Sequence, residues 1–573
     1  MSEPTDVKKL KTDHNILLGE GAYGKVYGTN HPNVACKQVY FKSELEGYPP
    51  FLLREISSSM ALNHCSNIIK IINVRSDLKH INHVNIYMTR FASDLITHLD
   101  TYGDIYDIES IKLIMFQIIQ GLYNAELLSI CHRDVKLQNI LINSENKIVI
   151  ADWGLSRFMQ TNDRTVFTNN VQTRWYRAPE LMLGDTKYNT SIDVWSIGTL
   201  LYEMLTKTVM FPGSCEIEQL FRIFRQFGTP TPQTWAGIEK LPCYKHTFPQ
   251  WKPKPLTPSI KGLDSQSCEL IGKMLQLNPL DRINFRDSLN HSFFDSVRNN
   301  VFFPKQSLIS NLNRLNKRVI DNTYMVRHTN INDILRNKLY NWLFSVSSGF
   351  GFKYQTFFIA CEYFDLYLSN NICNNILHNL RLIGLTCLHI ASKIHDTSSN
   401  RIDDYIKLTH NGYTSSDFLF MEESIVKSFE YNLYLTTPLT FLKILAKQLN
   451  LSNEIRNKIT CLLYLINLDL NMKIINQPKL VAIAIMYYSR DSLSRFEFDK
   501  LLDVPQTPEE SWNSLQKNLE LIINKTYTKN INSIMKSIFE NSKIKYYGYD
   551  KLDIFCQNHD TSEKISLIKE LIM

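Results

Sequence analysis

No two of the eleven cysteines stand as a C-x-x-C pair, and they are scattered over all 573 residues. The spacing of a zinc site and the density of a disulfide framework are both missing. That argues for reduced thiols in an intracellular protein, cytoplasmic or nuclear. The opening residues, Met1–Asp6, are polar and carry no signal-peptide pattern. The longest apolar stretches, such as Leu480–Tyr488, are too short to span a bilayer. The net charge of +7 lacks the clustering that a nucleic-acid stripe needs. Neither a membrane nor a nucleic acid is therefore expected as a partner. The length far exceeds what one hydrophobic core organises, so at least two domains are expected.

Two short strings dominate what is present: His132-Arg133-Asp134-Val135-Lys136-Leu137-Gln138-Asn139, and then Asp152-Trp153-Gly154. A carboxylate, a lysine two residues on, an amide five residues on and a second carboxylate are what phosphoryl transfer from a magnesium nucleotide requires. On this reading Asp134 orients the attacking hydroxyl and accepts its proton. Lys136 neutralises charge on the moving group, and Asn139 and Asp152 hold Mg2+. Upstream, Leu18 precedes Gly19-Glu20-Gly21-Ala22-Tyr23-Gly24-Lys25-Val26, spaced G-x-G-x-x-G-x-V. Glycine lets backbone N–H groups lie close to phosphates with no Cβ in the way. The stretch sits between β-prone runs (Ile16–Leu18 and Lys25–Tyr27) and is not followed by a helix, which counts against a dinucleotide fold. Val34-Ala35-Cys36-Lys37 reads as a strand ending in a lysine, and Glu55 lies on an apolar-periodic helix after Pro49-Pro50. Lys37 is either a surface lysine or the residue that grips the α- and β-phosphates and pairs with Glu55; order and spacing favour the second.

With these blocks in place, residues 14–295 resemble a eukaryotic-type protein kinase of the cyclin-dependent kinase family. Glu46-Gly47-Tyr48-Pro49-Pro50-Phe51-Leu52-Leu53-Arg54-Glu55-Ile56-Ser57 is similar to the family's signature helix, with Pro-Phe-Leu-Leu in place of the usual Ser-Thr-Ala-Ile. Trp175–Glu180, Asp193–Gly198, Phe211–Gly213 and Gln219–Phe224 are likewise family blocks. The resemblance implies an α+β bilobal kinase fold and ATP as cofactor. It places adenine on backbone atoms of Thr89 and Phe91, with Met88 as gatekeeper, Asp94 near the ribose, and Ala35 in the nucleotide pocket. Trp153 departs from the usual phenylalanine, and a stiffer activation segment is expected from it.

The kinase pattern ends near residue 298, and Arg298–Pro304 reads as a connector. Beyond it Arg336–Phe344, Gln355–Leu368, Leu380–Ile394, Ser415–Phe429 and Thr440–Leu449 carry apolar residues at three- and four-residue spacing, which predicts helices. Arg336 with Trp342, Ala360–Asp365, Ile390–Lys393 and Met421-Glu422 stand in the order of a cyclin box, and residues 307–530 resemble a cyclin. The expected division is a catalytic domain at 1–298, a connector with a first helix at 299–332, a cyclin box at 333–436, a second cyclin-like repeat at 437–530 and an extension at 531–573. The resemblance implies that Lys393 and Glu422 hold the backbone beside the kinase signature helix, whereas Arg336 and Asp365 support the box internally. Lys338, where the family often has an apolar residue, disfavours recruitment of Arg-x-Leu motifs.

Taken together, the resemblance implies a serine/threonine kinase activated by docking of its own fused cyclin domain, with protein Ser/Thr side chains as substrates. Thr168 occupies the place of an activating phosphothreonine, facing Arg54, Arg133 and Arg157, and an upstream activating kinase would be its partner. Val171 and Arg177 match the pocket after the phosphoacceptor, where proline is preferred; Gln172 replaces a usual valine and is expected to relax that preference. Tyr23 matches an inhibitory phosphorylation site whose usual threonine neighbour is here Ala22. The alternative is a catalytically weak kinase–cyclin scaffold that binds regulatory partners. Cell-cycle and transcriptional roles both stay open at this stage.

Overall fold

The computed structural model describes residues 9–21, 24–41, 46–76, 83–102, 106–159, 168, 171–298, 320, 324–328, 331–371, 376–397, 399–435 and 437–440. Ala22, Tyr23, most of the connector, the repeat beyond 440 and the extension at 531–573 lie outside the described residues. The chain divides into two compact units. Met1–Phe41 and Pro49–Gln306 form the first, and Lys42–Tyr48 with Ser307–Met573 form the second.

The first unit opens with strands β1 (Thr12–Gly21), β2 (Gly24–Thr29), β3 (Val34–Tyr40), β4 (Ile71–Ser76) and β5 (His83–Thr89). They form one antiparallel sheet in the order β1-β2-β3-β5-β4. The core strand β3 is rich in apolar residues on both faces, with Val34, Cys36 and Val39 fully buried. Helix α1 (Pro50–Ala61) starts at a proline pair, with Pro49 extended at the N-cap and Pro50 in the first turn, where a missing N–H costs nothing. It buries Leu52, Leu53, Glu55 and Ile56.

The rest of this unit is mainly helical. Strand β6 (Ser93–Asp94) leads into α2 (Leu95–Tyr102) and α3 (Ile108–Leu127). The Asp107 side chain caps α3 by accepting from the Ser110 N–H, and α3 then runs fully buried through Ile114, Met115, Phe116, Ile118 and Ile119. Short strands β7 (Ile130–Cys131), β8 (Ile140–Ile142), β9 (Ile148–Ile150) and β10 (Arg157–Phe158) frame the two motif strings, with β6-β8-β9 and β7-β10 pairing antiparallel. Six helices follow: α4 (Pro179–Met182), α5 (Ser191–Thr206), α6 (Glu216–Phe227), α7 (Ser265–Met274), α8 (Phe285–Leu289) and α9 (Asp295–Arg298). Arg282 makes a two-pronged bond to Glu180 at 2.6 Å, with both side chains wholly buried.

The second unit is helical: α10 (Tyr324–Arg327), α11 (Asp333–Gly349), α12 (Tyr354–Asn370), α13 (Ile376–His395), α14 (Ile402–Leu408) and α15 (Ser415–Ser428). Four of the five predicted helices fall on α11, α12, α13 and α15; the fifth, from Thr440, lies outside the described residues but for its first residue. The short α10 and α14 have too few turns to show a periodicity. Arg336 and Asp365 form a wholly buried pair at 2.7 Å, the Tyr324 hydroxyl donates to Asp365 at 2.9 Å, and the Arg336 guanidinium stands over the Tyr340 ring. These two residues therefore brace α11 against α12, and Lys338 on the same helix is exposed. Among the described residues no helix is long and apolar enough to cross a membrane.

Candidate active site

The glycine-rich stretch is the hairpin between β1 and β2, with Gly19 opposite Val26, Glu20 opposite Lys25 and Gly21 opposite Gly24. Glu20 and Lys25 pair across it at 3.3 Å. The glycines serve different ends. A Cβ on Gly24 would strike the Gln38 carbonyl oxygen of β3, so this glycine is required by sheet packing rather than by a ligand. A Cβ on Gly19 would meet nothing within 4 Å, and one on Gly21 only the Gly24 carbonyl at 4.0 Å. The open space needed for close approach of a phosphate therefore lies over Gly19 and Gly21. Leu18 is exposed on β1, and Ala35 is buried on β3 opposite Gly28.

Lys37, held in register between Val26 and Ile86, reaches Glu55 of α1 with Nζ–Oε1 at 2.5 Å and Asp152 Oδ1 at 3.9 Å. Burial by itself would lower the ammonium pKa, but the Glu55 and Asp152 carboxylates together hold it above its ordinary value. Burial raises the Glu55 carboxyl against the pull of Lys37. The lysine thus stays charged between two carboxylates, one spent on fixing it and one still 41 % exposed.

Asp134 sits where several chain segments converge. Its Oδ1 accepts from the Thr173 amide (3.0 Å) and hydroxyl (2.9 Å). Its Oδ2 faces Lys136 Nζ at 2.8 Å and Asn139 Nδ2 at 3.2 Å. Burial alone would raise this carboxyl, but the Lys136 ammonium and the Thr173 hydrogen bond bring it below its ordinary value. The Asn139 amide nitrogen also donates to the Asp134 carbonyl, so its side-chain oxygen is the atom left for another ligand. Asp152 and Asn139 are thus two oxygen donors on neighbouring turns. Among the described residues no three of His, Cys, Asp and Glu converge on one point. A hard cation held by two side chains and completed by phosphate oxygens and water fits that donor set.

The motif's backbone is held from α5. Asp193 is buried and accepts from the backbone N–H groups of His132 (2.8 Å) and Arg133 (2.9 Å), and Arg133 there takes the left-handed conformation, φ 68°. Neither Thr173 nor Asp193 was singled out as a site residue from the sequence. A lone threonine has no spacing signal, and Asp193 was legible only as part of a family block. The other sequence-assigned residues lie along the end of β5. The amides of Thr89, Arg90 and Ala92 are taken by the carbonyls of Lys70, Asn33 and Ile142, while the Phe91 amide between them has no partner among the described residues. Asp94 caps α2 by accepting from the Thr97 amide and hydroxyl, both at 2.9 Å.

Two of the three arginines attach to the turn that follows Asp152, and the third leaves it on β10. Arg54 Nε donates to the Gly154 carbonyl at 3.3 Å, and Arg133 Nε to the Leu155 carbonyl at 2.7 Å. Arg157 is buried opposite Cys131 in the β10–β7 pair. Arg133 also donates to the Tyr188 hydroxyl at 2.7 Å, which in turn donates to the Thr168 carbonyl at 2.6 Å. Thr168 itself is exposed. Gln172 does not line an open pocket. Its side chain points inward, donating to the Ile192 carbonyl (3.0 Å) and the Ser196 hydroxyl (2.9 Å) and accepting from the Ala178 amide (3.0 Å). Its backbone is left-handed, φ 65°, and its carbonyl accepts from Arg177 Nη2 at 2.9 Å.

Within the second unit, Lys393 of α13 and Glu422 of α15 pair at 2.6 Å, both almost fully buried. Lys393 Nζ donates to the Glu46 carbonyl at 2.7 Å, and Glu422 Oε2 accepts from the Tyr48 amide at 3.3 Å. Burial lowers the Lys393 pKa and raises that of Glu422, each against the pull of its partner. Gly47 has φ +68°, and a Cβ there would collide with Glu422 Oε2. Tyr48 is wholly buried, edge-on to Tyr431 with ring centroids 6.2 Å apart. The sequence marked the Lys393–Glu422 pair; Tyr48 stands in the signature block and Tyr431 near the end of the cyclin box, but no motif pairs the two tyrosines.

Comparison with known proteins agrees with these two halves. Residues 13–294 match the protein kinase domain and residues 307–434 the cyclin N-terminal domain. Among solved structures, a chain from the CAK complex of Chaetomium thermophilum bound to ATP-gamma-S is 30% identical, with a TM-score of 0.46 over 50% of this chain and 91% of that one. This chain belongs to the protein kinases, as a kinase of cyclin-dependent type followed on the same polypeptide by a cyclin N-terminal domain.

Proposed function

We propose that this protein is an ATP-dependent serine/threonine kinase, activated by its own cyclin domain, that phosphorylates Ser/Thr-Pro sites in proteins. Bound with magnesium, ATP supplies the γ-phosphoryl group. Gly19 and Gly21 leave room for its phosphates, with Leu18, Glu20, Lys25, Val26 and Ala35 as the surrounding nucleotide-binding residues. Lys37, fixed by Glu55, grips the α- and β-phosphates, and Asn139 and Asp152 hold the metal. The backbone of Thr89 and Phe91 receives adenine. The Asp134 carboxylate orients the substrate hydroxyl and accepts its proton, while Lys136, 2.8 Å away, offsets negative charge as the group moves. Because the Gln172 carbonyl is already used by Arg177, it is not available to a substrate amide after the phosphoacceptor. Proline has no amide to leave unsatisfied, which supports a Ser/Thr-Pro preference.

One observation carries the self-activation reading. Glu46–Tyr48 is fastened by Lys393, Glu422 and Tyr431, and the chain passes from Tyr48 through Pro49 directly into α1, which bears Glu55. Fixing that segment sets where α1 begins, and hence whether Glu55 meets Lys37. A tethered partner acts at an effective concentration on the order of millimolar. Residues 1–300 alone should therefore phosphorylate a Ser-Pro peptide array only weakly, and added residues 301–573 should restore activity in a concentration-dependent way. A truncated protein as active as the whole chain would remove the self-activation reading; an intact chain with no phosphorylation of any peptide would remove the kinase reading.

Thr168, tied through Tyr188 to Arg133, is proposed as the residue an upstream kinase phosphorylates. Its phosphate would draw on the charge of Arg54, Arg133 and Arg157. Thr168→Ala is expected to lower activity about tenfold or more with an unchanged melting temperature, the scale of losing one or two charge-assisted hydrogen bonds. Mass spectrometry of fully active protein should find Thr168 phosphorylated; its absence there would refute the switch.

A further inference from the structure

Trp153, in the second motif string, is wholly buried and packs against His132 of the first. Its indole N–H donates to the Ile150 carbonyl at 3.2 Å, and its ring meets the His132 ring edge-on at 4.6 Å between centroids. Its own carbonyl accepts from the Ser156 hydroxyl at 2.6 Å and the Ser156 amide at 3.0 Å. The Ile150 carbonyl also accepts from the Ile69 amide at 3.0 Å, so the indole is tied to a point that is already anchored. Between Ile150 and Trp153 lies Asp152, whose backbone is left-handed at φ 59°, ψ 67°. A residue with a Cβ adopts that conformation at a cost, smaller for aspartate than for most, and neighbours that hold it there offset the cost. The indole bond closes a loop around this one strained residue, on the strand side; the Ser156 bonds close the other side.

We infer that Trp153 is a positioning residue, whose indole N–H clamps Asp152 in the left-handed conformation that aims its carboxylate toward Lys37 before any nucleotide arrives. A phenylalanine would fill most of the same space and keep the contact with His132, but it has no donor for Ile150. Asp152 would then be free to leave the left-handed region whenever nucleotide is absent. The inference rests on the proposed role of Asp152 in holding the metal, but its test does not depend on turnover.

The test is hydrogen exchange on the full-length, nucleotide-free protein, comparing wild type with Trp153→Phe. Amides over 151–157 should exchange about fivefold to tenfold faster in the variant, the scale set by loss of one buried hydrogen bond. Those of Ser191–Thr206 should not change. Unchanged exchange at 151–157 would overturn the clamp. So would equal acceleration in Ser191–Thr206, which would mean a loosened core and no local role. Should Trp153→Phe not fold, the wild-type protein with 15N-labelled tryptophan decides: the Trp153 indole proton should exchange far more slowly than that of the exposed Trp175, and equal rates would refute the inference. A clamped protein that phosphorylates no peptide would leave the inference standing and remove the kinase reading instead.

Discussion

Asp134→Ala and Lys37→Met should each lower kcat for peptide phosphorylation by at least about two orders of magnitude, equivalent to about 2.7 kcal/mol of transition-state stabilisation. Asp134 is held by four groups, from Thr173, Lys136 and Asn139, and Asp134→Ala removes the carboxylate that they hold in place to accept the substrate proton. Lys37→Met keeps similar bulk and removes the cation placed between Glu55 and Asp152. Neither change should unfold the protein. Lys37→Met should still lower the melting temperature, because Glu55 loses its buried cation, but burial already raises the Glu55 carboxyl, so taking up a proton limits that cost. Steady-state kinetics with a parallel melting curve measures both quantities. A variant with near wild-type turnover would refute the assigned roles, and Asp134→Asn separates charge from position by keeping an acceptor for Thr173.

The second large effect is on stability. Lys393→Met should destabilise the second unit by about 3–5 kcal/mol, because Glu422 is then left buried without its cation and the Glu46 carbonyl without its donor. Replacing both partners, Lys393→Met with Glu422→Leu, should recover much of that loss, since no buried charge is then left alone. It should not recover activity, because Glu46 and Tyr48 would still lack the groups that fasten them. Urea unfolding of the single and double variants, with kinase assays on the same preparations, reads both. A single variant as stable as wild type would show that the pair contributes nothing. A fully active double variant would show that fastening Glu46–Tyr48 is not what sets α1.

Asp134, Lys136 and Asn139 were legible in the sequence because they lie within five residues of one another on one turn, so their spacing encodes their geometry; Lys37 and Asp152 were legible only from the order of the blocks that carry them. Glu55 was readable from its helix and its order after Lys37. The periodicity of α11, α12, α13 and α15 was equally legible, since each buries one face against its neighbours. What spacing cannot encode is a partner that arrives by closure of the chain. Thr173 reaches Asp134 across 39 residues, Asp193 reaches Arg133 across 60, and Glu422 reaches Tyr48 across 374. The same holds for side-chain direction. The sequence leads one to expect that Gln172, in place of a valine, relaxes the pocket shaped by Val171 and Arg177, but its amide bonds inward to Ile192, Ser196 and Ala178. Gly24 looked like a phosphate glycine until the Gln38 carbonyl was found against it. Local order of residue types therefore determined the chemistry and the two kinds of domain. Tertiary structure alone decided which distant donors hold the catalytic carboxylate, and that Glu46–Tyr48 packs with the second unit, because hydrogen bonds and buried charge pairs are made between whichever groups folding brings within about 3 Å.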